Sequence, residues 1–280
     1  MNKELTFLIV GLGLIGGSIA KGLKKEGYKV YAIDINEEAI RYAKNNNIIL
    51  NDDESDKTLI SNADIIILCL YPSVIHTWVK DNHHLFKDTV LVSDVTGIKG
   101  SIVEKIQSTM TKGEFLAMHP MAGKEVKGVE HASDSIFKGA NLIIVPTEKN
   151  KPSSIDLLRD LGHELSFKHI EILSVDDHDK MISFLSQLPH AIAVALMCNR
   201  NNDHLIRYTG DSFRDLTRIA KINADLWSEL FISNKENLCD DIDSFIDTLK
   251  MIKDYVKTED EDKLKEMFVV SKERRTNFDK

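Results

Sequence analysis

Residues 5–18 read Leu-Thr-Phe-Leu-Ile-Val-Gly-Leu-Gly-Leu-Ile-Gly-Gly-Ser: an apolar run ends in Gly11, Gly13 and Gly16 at G-x-G-x-x-G spacing. The run predicts a buried strand over 5–10, and a helical pattern begins at once over 15–25. In that context each glycine has a task. Gly11 permits the tight turn, Gly13 lets a pyrophosphate approach the backbone, and Gly16 lets helix and strand pack closely while free helix N–H groups face the phosphates. The next predicted strand, 29–33, runs into Asp34, which lies 21 residues beyond Gly13, where a carboxylate accepts bonds from the adenosine ribose. A carboxylate there repels a 2′-phosphate, and Ile35-Asn36 offers no arginine to neutralise one, so NAD is expected rather than NADP. The cofactor set read here is Gly11, Gly13, Leu14, Ile15, Gly16 and Asp34. The competing reading, a structural turn with Asp34 capping a helix from Glu37, explains neither the strand context nor the spacing.

Outward from this stretch, β-rich runs alternate with helical patterns to about residue 145. Strands are expected at 65–70, 90–92, 115–118 and 142–145, and helices at 37–45 and 99–110. Several strands are apolar without alternation, as strands of a parallel sheet covered on both faces should be. After a last helix–strand unit over 153–172 the strand signal ends and helix follows helix. The expected fold is therefore α/β: a Rossmann-type, doubly wound dinucleotide-binding domain over 1–172 and an all-α substrate and dimerisation domain over 173–280. Residues 178–198 are apolar on nearly all sides, the mark of a helix buried in a core or between subunits. Pro189 should kink that helix. The stretch 259–280 reads as a charged amphipathic helix.

With 36 basic against 44 acidic residues, the net charge of −8 disfavours a nucleic-acid partner. Cys69, Cys198 and Cys239 are odd in number and far apart, which excludes a disulfide framework or zinc site and fits the reducing cytoplasm. Glycines interrupt the N-terminal apolar run and Glu4 precedes it, against a secretory signal. No other stretch is expected to approach the ~18 apolar residues of a membrane span.

Three further constellations carry chemistry. Ser93-Asp94-Val95-Thr96-Gly97-Ile98-Lys99 ends a predicted strand, where open α/β sheets bind ligands. Met118-His119-Pro120-Met121-Ala122-Gly123-Lys124-Glu125 follows another predicted strand, and a histidine there can take a hydroxyl proton. Leu188-Pro189-His190 and Phe213 to Ala220 lie in the helical region. In order and spacing, GLGLIGGS, DVTGIKGSI, HPMAGKEVKGVE, LPHA and DLTRIA resemble the prephenate dehydrogenase family across nearly the whole chain. The resemblance implies NAD-dependent oxidative decarboxylation of prephenate to 4-hydroxyphenylpyruvate in tyrosine biosynthesis, with no metal. It implies His119 as catalytic proton acceptor, Arg218 on a substrate carboxylate, His190 in the pocket wall, Glu125 in substrate binding, and Trp227 where the family often has tryptophan. Where relatives carry a serine beside the catalytic histidine this chain has Gly97, and Thr96 is taken to supply the hydroxyl. The chain resembles the bare catalytic core, without a chorismate mutase or ACT domain.

Other readings stay open. His119 could cap a strand end, His190 could be a satisfied core histidine, and Arg218 could pair with Asp211 or Asp215. Arogenate dehydrogenase is the nearest rival activity, a β-hydroxyacid dehydrogenase a broader one, and a non-catalytic NAD-sensing protein a rival of another class. The apolar helix predicts a homodimer formed through the helical region.

Overall fold

A computed structural model describes residues 1–52, 55–124, 126–200 and 204–279. The opening run forms β1 (Thr6–Val10), followed by β2 (Lys29–Ile33), β3 (Ile65–Leu68), β4 (Leu91–Asp94) and β5 (Glu114–Phe115). All pair in parallel in the order β2-β1-β3-β4-β5, so the strand order reverses between β1 and β3, the switch point at which a crevice opens at their C-terminal ends. Helices cover both faces. Phe7 and Ile9 pack with Ile19 and Leu23 of α1 (Leu14–Lys25), alongside α2 (Glu37–Asn45). Leu8 and Val10 face the other way, towards Leu59 of α3 (Asp56–Asn62), Ile75 and Val79 of α4 (Pro72–Asn82) and Ile106 of α5 (Val103–Thr109). The expected doubly wound sheet is present.

The expected parallel series stops earlier than the sequence pattern suggests. The run near 115–118 splits at Leu116 into β5 and β6 (Ala117–Met121), and β6 belongs to a second sheet, β6-β7-β8, with β7 (Asn141–Val145) and β8 (His169–Ile172). β6 and β7 are antiparallel, joined among the described residues by 3₁₀ turns rather than by a crossover helix. β7 and β8 are parallel, joined through α6 (Pro152–Glu164). Pro120 is tolerated inside β6 because this is an edge strand.

From Val175 the chain is helical: α7 (Val175–Ile182), a π turn at Ser183–Gln187, α8 (Leu188–Asn199), α9 (Asp211–Thr217) and α10 (Ala224–Ser233). The break expected at Pro189 takes the form of that π turn. Its wider ring relieves the clash proline makes with the preceding turn and leaves Pro189 in the first turn of α8. The chain divides into two compact units, Met1–Asn234 and Lys235–Lys280, a division that does not coincide with the expected boundary near 173. The second unit consists of α11 (Lys235–Lys257), α12 (Glu261–Thr276) and a short terminal 3₁₀ turn, with Asp260 capping α12. In α12 the consecutive Phe268, Val269 and Val270 are all exposed, so its apolar residues form no single stripe and the amphipathic expectation is corrected.

Candidate active site

At the cofactor end, glycine geometry is what a dinucleotide requires. Gly11 has φ +97°, a conformation open to glycine, and a Cβ on Gly16 would lie 2.0 Å from the Gly11 carbonyl oxygen. A Cβ on Gly13 would meet nothing within 4 Å, so the space beside it is the kind a ligand fills. Gly13 is the N-cap of α1, and no side chain caps that terminus, which leaves the opening turn at Leu14, Ile15 and Gly16 suited to an anion. Asp34 follows β2. Its Oδ2 accepts from Leu12 N–H at 2.5 Å and its Oδ1 from Asn36 N–H at 2.7 Å. The cap of α2 is Asn36, not Asp34, so the helix-capping alternative for that acid is not realised. A cleft of about 420 Å³ opens here, lined among others by Gly13, Asp34, Tyr42, Gly128 and Glu130.

The catalytic end is assembled from remote segments. Asp94, the last residue of β4, and Lys99 are both wholly buried and paired at 2.7 Å. Lys99 Nζ also donates to the Met118 carbonyl at 2.7 Å, tying β4 to β6. Burial pushes the lysine pKa down while Asp94 opposes that shift. The Thr96 hydroxyl lies against Asp94 Oδ2 and the Ile98 carbonyl, so it belongs to this buried pair. His119 lies within β6, two residues before its end, rather than after a strand. Its Nδ1 is 3.0 Å from Nε2 of His178 on α7, and His178 Nδ1 is 2.7 Å from Asp179 Oδ1. Burial lowers the His119 pKa well below 6.5, and positive charge at His178 and Lys99 would lower it further, so the ring is neutral at pH 7. A Cβ on Gly97 would be 3.8 Å from His119 Cε1, so the residue at the family's serine position does adjoin the histidine.

His190 is half-buried on α8. Its Nδ1 donates to the Ser186 carbonyl at 2.8 Å, and its ring stacks on Trp227 of α10 with centroids 3.7 Å apart. Arg218 is exposed in the 3₁₀ turn that ends α9, and this turn packs against α8. Glu125 lies outside the described residues.

Comparisons with known proteins address both halves. Residues 19–171 match the family described as prephenate dehydrogenase, nucleotide-binding domain, and residues 174–270 match prephenate dehydrogenase, dimerization domain. The chain belongs to the prephenate dehydrogenase family. It is 35% identical to prephenate dehydrogenase of Lactococcus lactis over 85% of this chain and 67% of the relative. It is 29% identical to that of Bacillus subtilis over 96% and 75%. The crystal structure of the A. aeolicus enzyme in complex with hydroxyphenyl propionate and NAD+ superposes with a TM-score of 0.90 at 30% identity, covering 99% of each chain. This member of the family is an NAD-dependent oxidoreductase, with the Rossmann-type sheet and helical C-terminal region expected from its sequence.

Sequence reading missed three groups at this prephenate dehydrogenase site: Lys99 as the partner of Asp94, and His178 with Asp179. The last two open the helix from Val175 to Asn199, whose apolar bulk draws attention away from them. By length and composition that helix is apolar enough to cross a membrane, which corrects the expectation that no stretch approaches a span. Its polar side chains are nonetheless built into the fold. Asp179 accepts from Lys99 N–H at 2.9 Å and Gly100 N–H at 2.7 Å, and Gln187 donates to the Leu230 carbonyl at 2.9 Å. The available signal was Asp-His-Asp at 177–179, polar residues in the first turns of an otherwise apolar helix.

Proposed function

We propose that this chain oxidatively decarboxylates prephenate to 4-hydroxyphenylpyruvate, with His119 accepting the ring hydroxyl proton. The observation that carries the reading is a neutral, hydrogen-bonded His119 in a chain whose two halves both match the family. Bound NAD supplies the hydride acceptor, held by the glycine loop through Gly11, Gly13, Leu14, Ile15 and Gly16, with Asp34 on the ribose. The His119 imidazole draws off the hydroxyl proton as the ring carbon is oxidised. Departure of the ring carboxylate as carbon dioxide leaves an aromatic ring, which makes the step effectively irreversible. Arg218 binds a substrate carboxylate, for which a guanidinium fork is suited. The stacked His190 and Trp227 form a pocket wall, and Glu125 contributes to substrate binding on the strength of the family motif alone. Thr96 acts through the Asp94–Lys99 pair, its hydroxyl steadying the carboxylate that holds Lys99 against the Met118 carbonyl, next to His119 in sequence.

The proposed functional division keeps cofactor binding in 1–172 and substrate binding and dimerisation in 173–280. Exposed Met181, Phe184 and Leu185 on the long helix, in the region that matches the dimerization domain, support a homodimer. We further propose a cytoplasmic enzyme without a membrane or nucleic-acid partner, the latter on its net charge of −8. A stable monomer at micromolar concentration in sedimentation would contradict the dimer. The reaction itself is tested by following NADH absorbance with purified protein, NAD, and either prephenate or arogenate. Reduction with prephenate is expected; reduction with arogenate alone would transfer the chain to the rival activity, and reduction with neither would end the proposal.

A further inference from the structure

Three side chains from two remote segments stand in line: His119 on β6, then His178 and Asp179 on α7. The proton positions in this line follow from what each atom can do. Both Asp179 oxygens already accept backbone N–H groups, from Lys99 and Gly100, so the carboxylate is an acceptor and His178 Nδ1 carries the hydrogen at their 2.7 Å contact. A neutral His178 then has only a lone pair at Nε2. The 3.0 Å contact therefore requires His119 Nδ1 to donate, and the lone pair of His119 stands at Nε2. Asp179 is held at a third point as well, since its main-chain carbonyl accepts from Asn234 Nδ2 at 2.8 Å.

We propose that His178 and Asp179 are positioning residues that hold His119 in its Nδ1–H tautomer, so that Nε2 is the atom that receives the substrate proton. The inference rests on the reading of His119 as proton acceptor. It gives the pair two consequences. When Nε2 takes the proton, the resulting imidazolium donates from Nδ1 to His178, whose own Nδ1–H is directed at the Asp179 carboxylate, so the new charge is stabilised along the line. If His178 itself became protonated it would donate from Nε2, His119 Nδ1 would have to accept, and His119 Nε2 would carry a hydrogen and cease to be a base. Four groups bear on that switch: burial and Lys99 oppose a proton on His178, Asp179 and Asp94 favour it, and His119 competes for it.

The test reads the tautomer directly. In ¹⁵N NMR of the full-length, histidine-labelled protein at about pH 7.5, a unit above the ordinary histidine value, His119 should be protonated at Nδ1 and bare at Nε2. His178→Phe, which removes the acceptor, should lose that preference and lower kcat by about 10²–10⁴-fold, while KM and NADH affinity stay within about threefold. His178→Gln has a carbonyl for His119 and an amide for Asp179, and should restore kcat to within roughly tenfold of wild type. A wild-type His119 protonated at Nε2 would overturn the inference, as would a folded His178→Phe protein with wild-type tautomer and kcat. If His178→Phe does not fold, the wild-type spectrum alone decides. Because the spectrum needs no turnover, failure of the protein to oxidise prephenate would be seen separately in the NADH assay.

Discussion

At the cofactor end of the crevice the work falls to backbone: Gly11, Gly13 and Gly16 lie within one strand–turn–helix, and what matters is the side chains they lack. At the catalytic end it falls to side chains from three separated segments, 94–99, 119 and 178–179, most of them buried: Lys99 pairs with Asp94 and holds the Met118 carbonyl, His119 bonds His178, and His178 bonds Asp179. The first arrangement is written in one short stretch of sequence, although Gly11 and Gly16 also pack against Cys69 beyond β3. The second exists only when both sheets and the long helix are in place, and removing one member leaves its partner buried without a counterpart. The comparison teaches that cofactor binding should tolerate damage elsewhere in the fold, whereas the catalytic end ties chemistry to stability.

Lys99→Met should break the contrast most severely. It leaves Asp94 as an unpaired buried charge, with Oδ1 already without a hydrogen-bond partner among the described residues. A loss of about 3–5 kcal/mol is expected, a large part of a typical domain's stability, read as a lowered urea midpoint. A midpoint within experimental error of wild type would show that the pair carries no such burden. Arg218→Ala comes next and sharpens the distinction between holding substrate and folding. Leaving a carboxylate unpaired should cost about 2–5 kcal/mol, expressed mainly in KM, with unchanged melting and NADH binding. Loss of fold with KM unchanged in the surviving enzyme would favour a structural ion pair instead. Gly13→Ala is the smallest and cleanest probe of the backbone end. The methyl group meets nothing in the protein, so melting should hold, while NADH affinity falls by about tenfold, or 1.4 kcal/mol. Unchanged affinity would refute the close approach of the pyrophosphate at Gly13.

The same contrast explains what the sequence disclosed. The glycine loop, Asp34 and the first four strands were legible because strand, turn and helix signals are written in neighbouring residues, whereas the fifth expected strand merged the end of β5 with the start of β6. The switch to an antiparallel β6–β7 pair was not, since it depends on a connection that, among the described residues of 122–140, holds 3₁₀ turns and no crossover helix, a weaker signal than the strands flanking it. His119 was legible only through its motif, and its place inside β6 was not. The His178–Asp179 pair escaped because its meaning comes from contacts 59 to 80 residues away in sequence, whereas the helix around it reads as uniformly apolar. Thr96 was read as a hydroxyl beside the histidine, yet its contacts are with Asp94 and Ile98, which only the fold of the 94–99 loop reveals.

The central claim, that a neutral His119 takes the substrate proton, is tested most directly by the pH dependence of kcat in wild type and His119→Asn. With its pKa held below the ordinary 6.5, His119 remains a competent base down through that value, so wild-type kcat should stay level from neutrality and fall only at lower pH. The structure's own stability has the same sign: between the lowered folded value and 6.5 the unfolded state binds more protons, so stability is full above pH 6.5 and declines as pH falls. Rates must therefore be taken on protein shown to be folded at each pH. The account predicts that His119→Asn lowers kcat by about 10²–10⁴-fold, leaves KM nearly unchanged and abolishes the acidic limb. A variant that kept near-normal kcat together with the wild-type acidic limb would contradict it and assign the proton to another group.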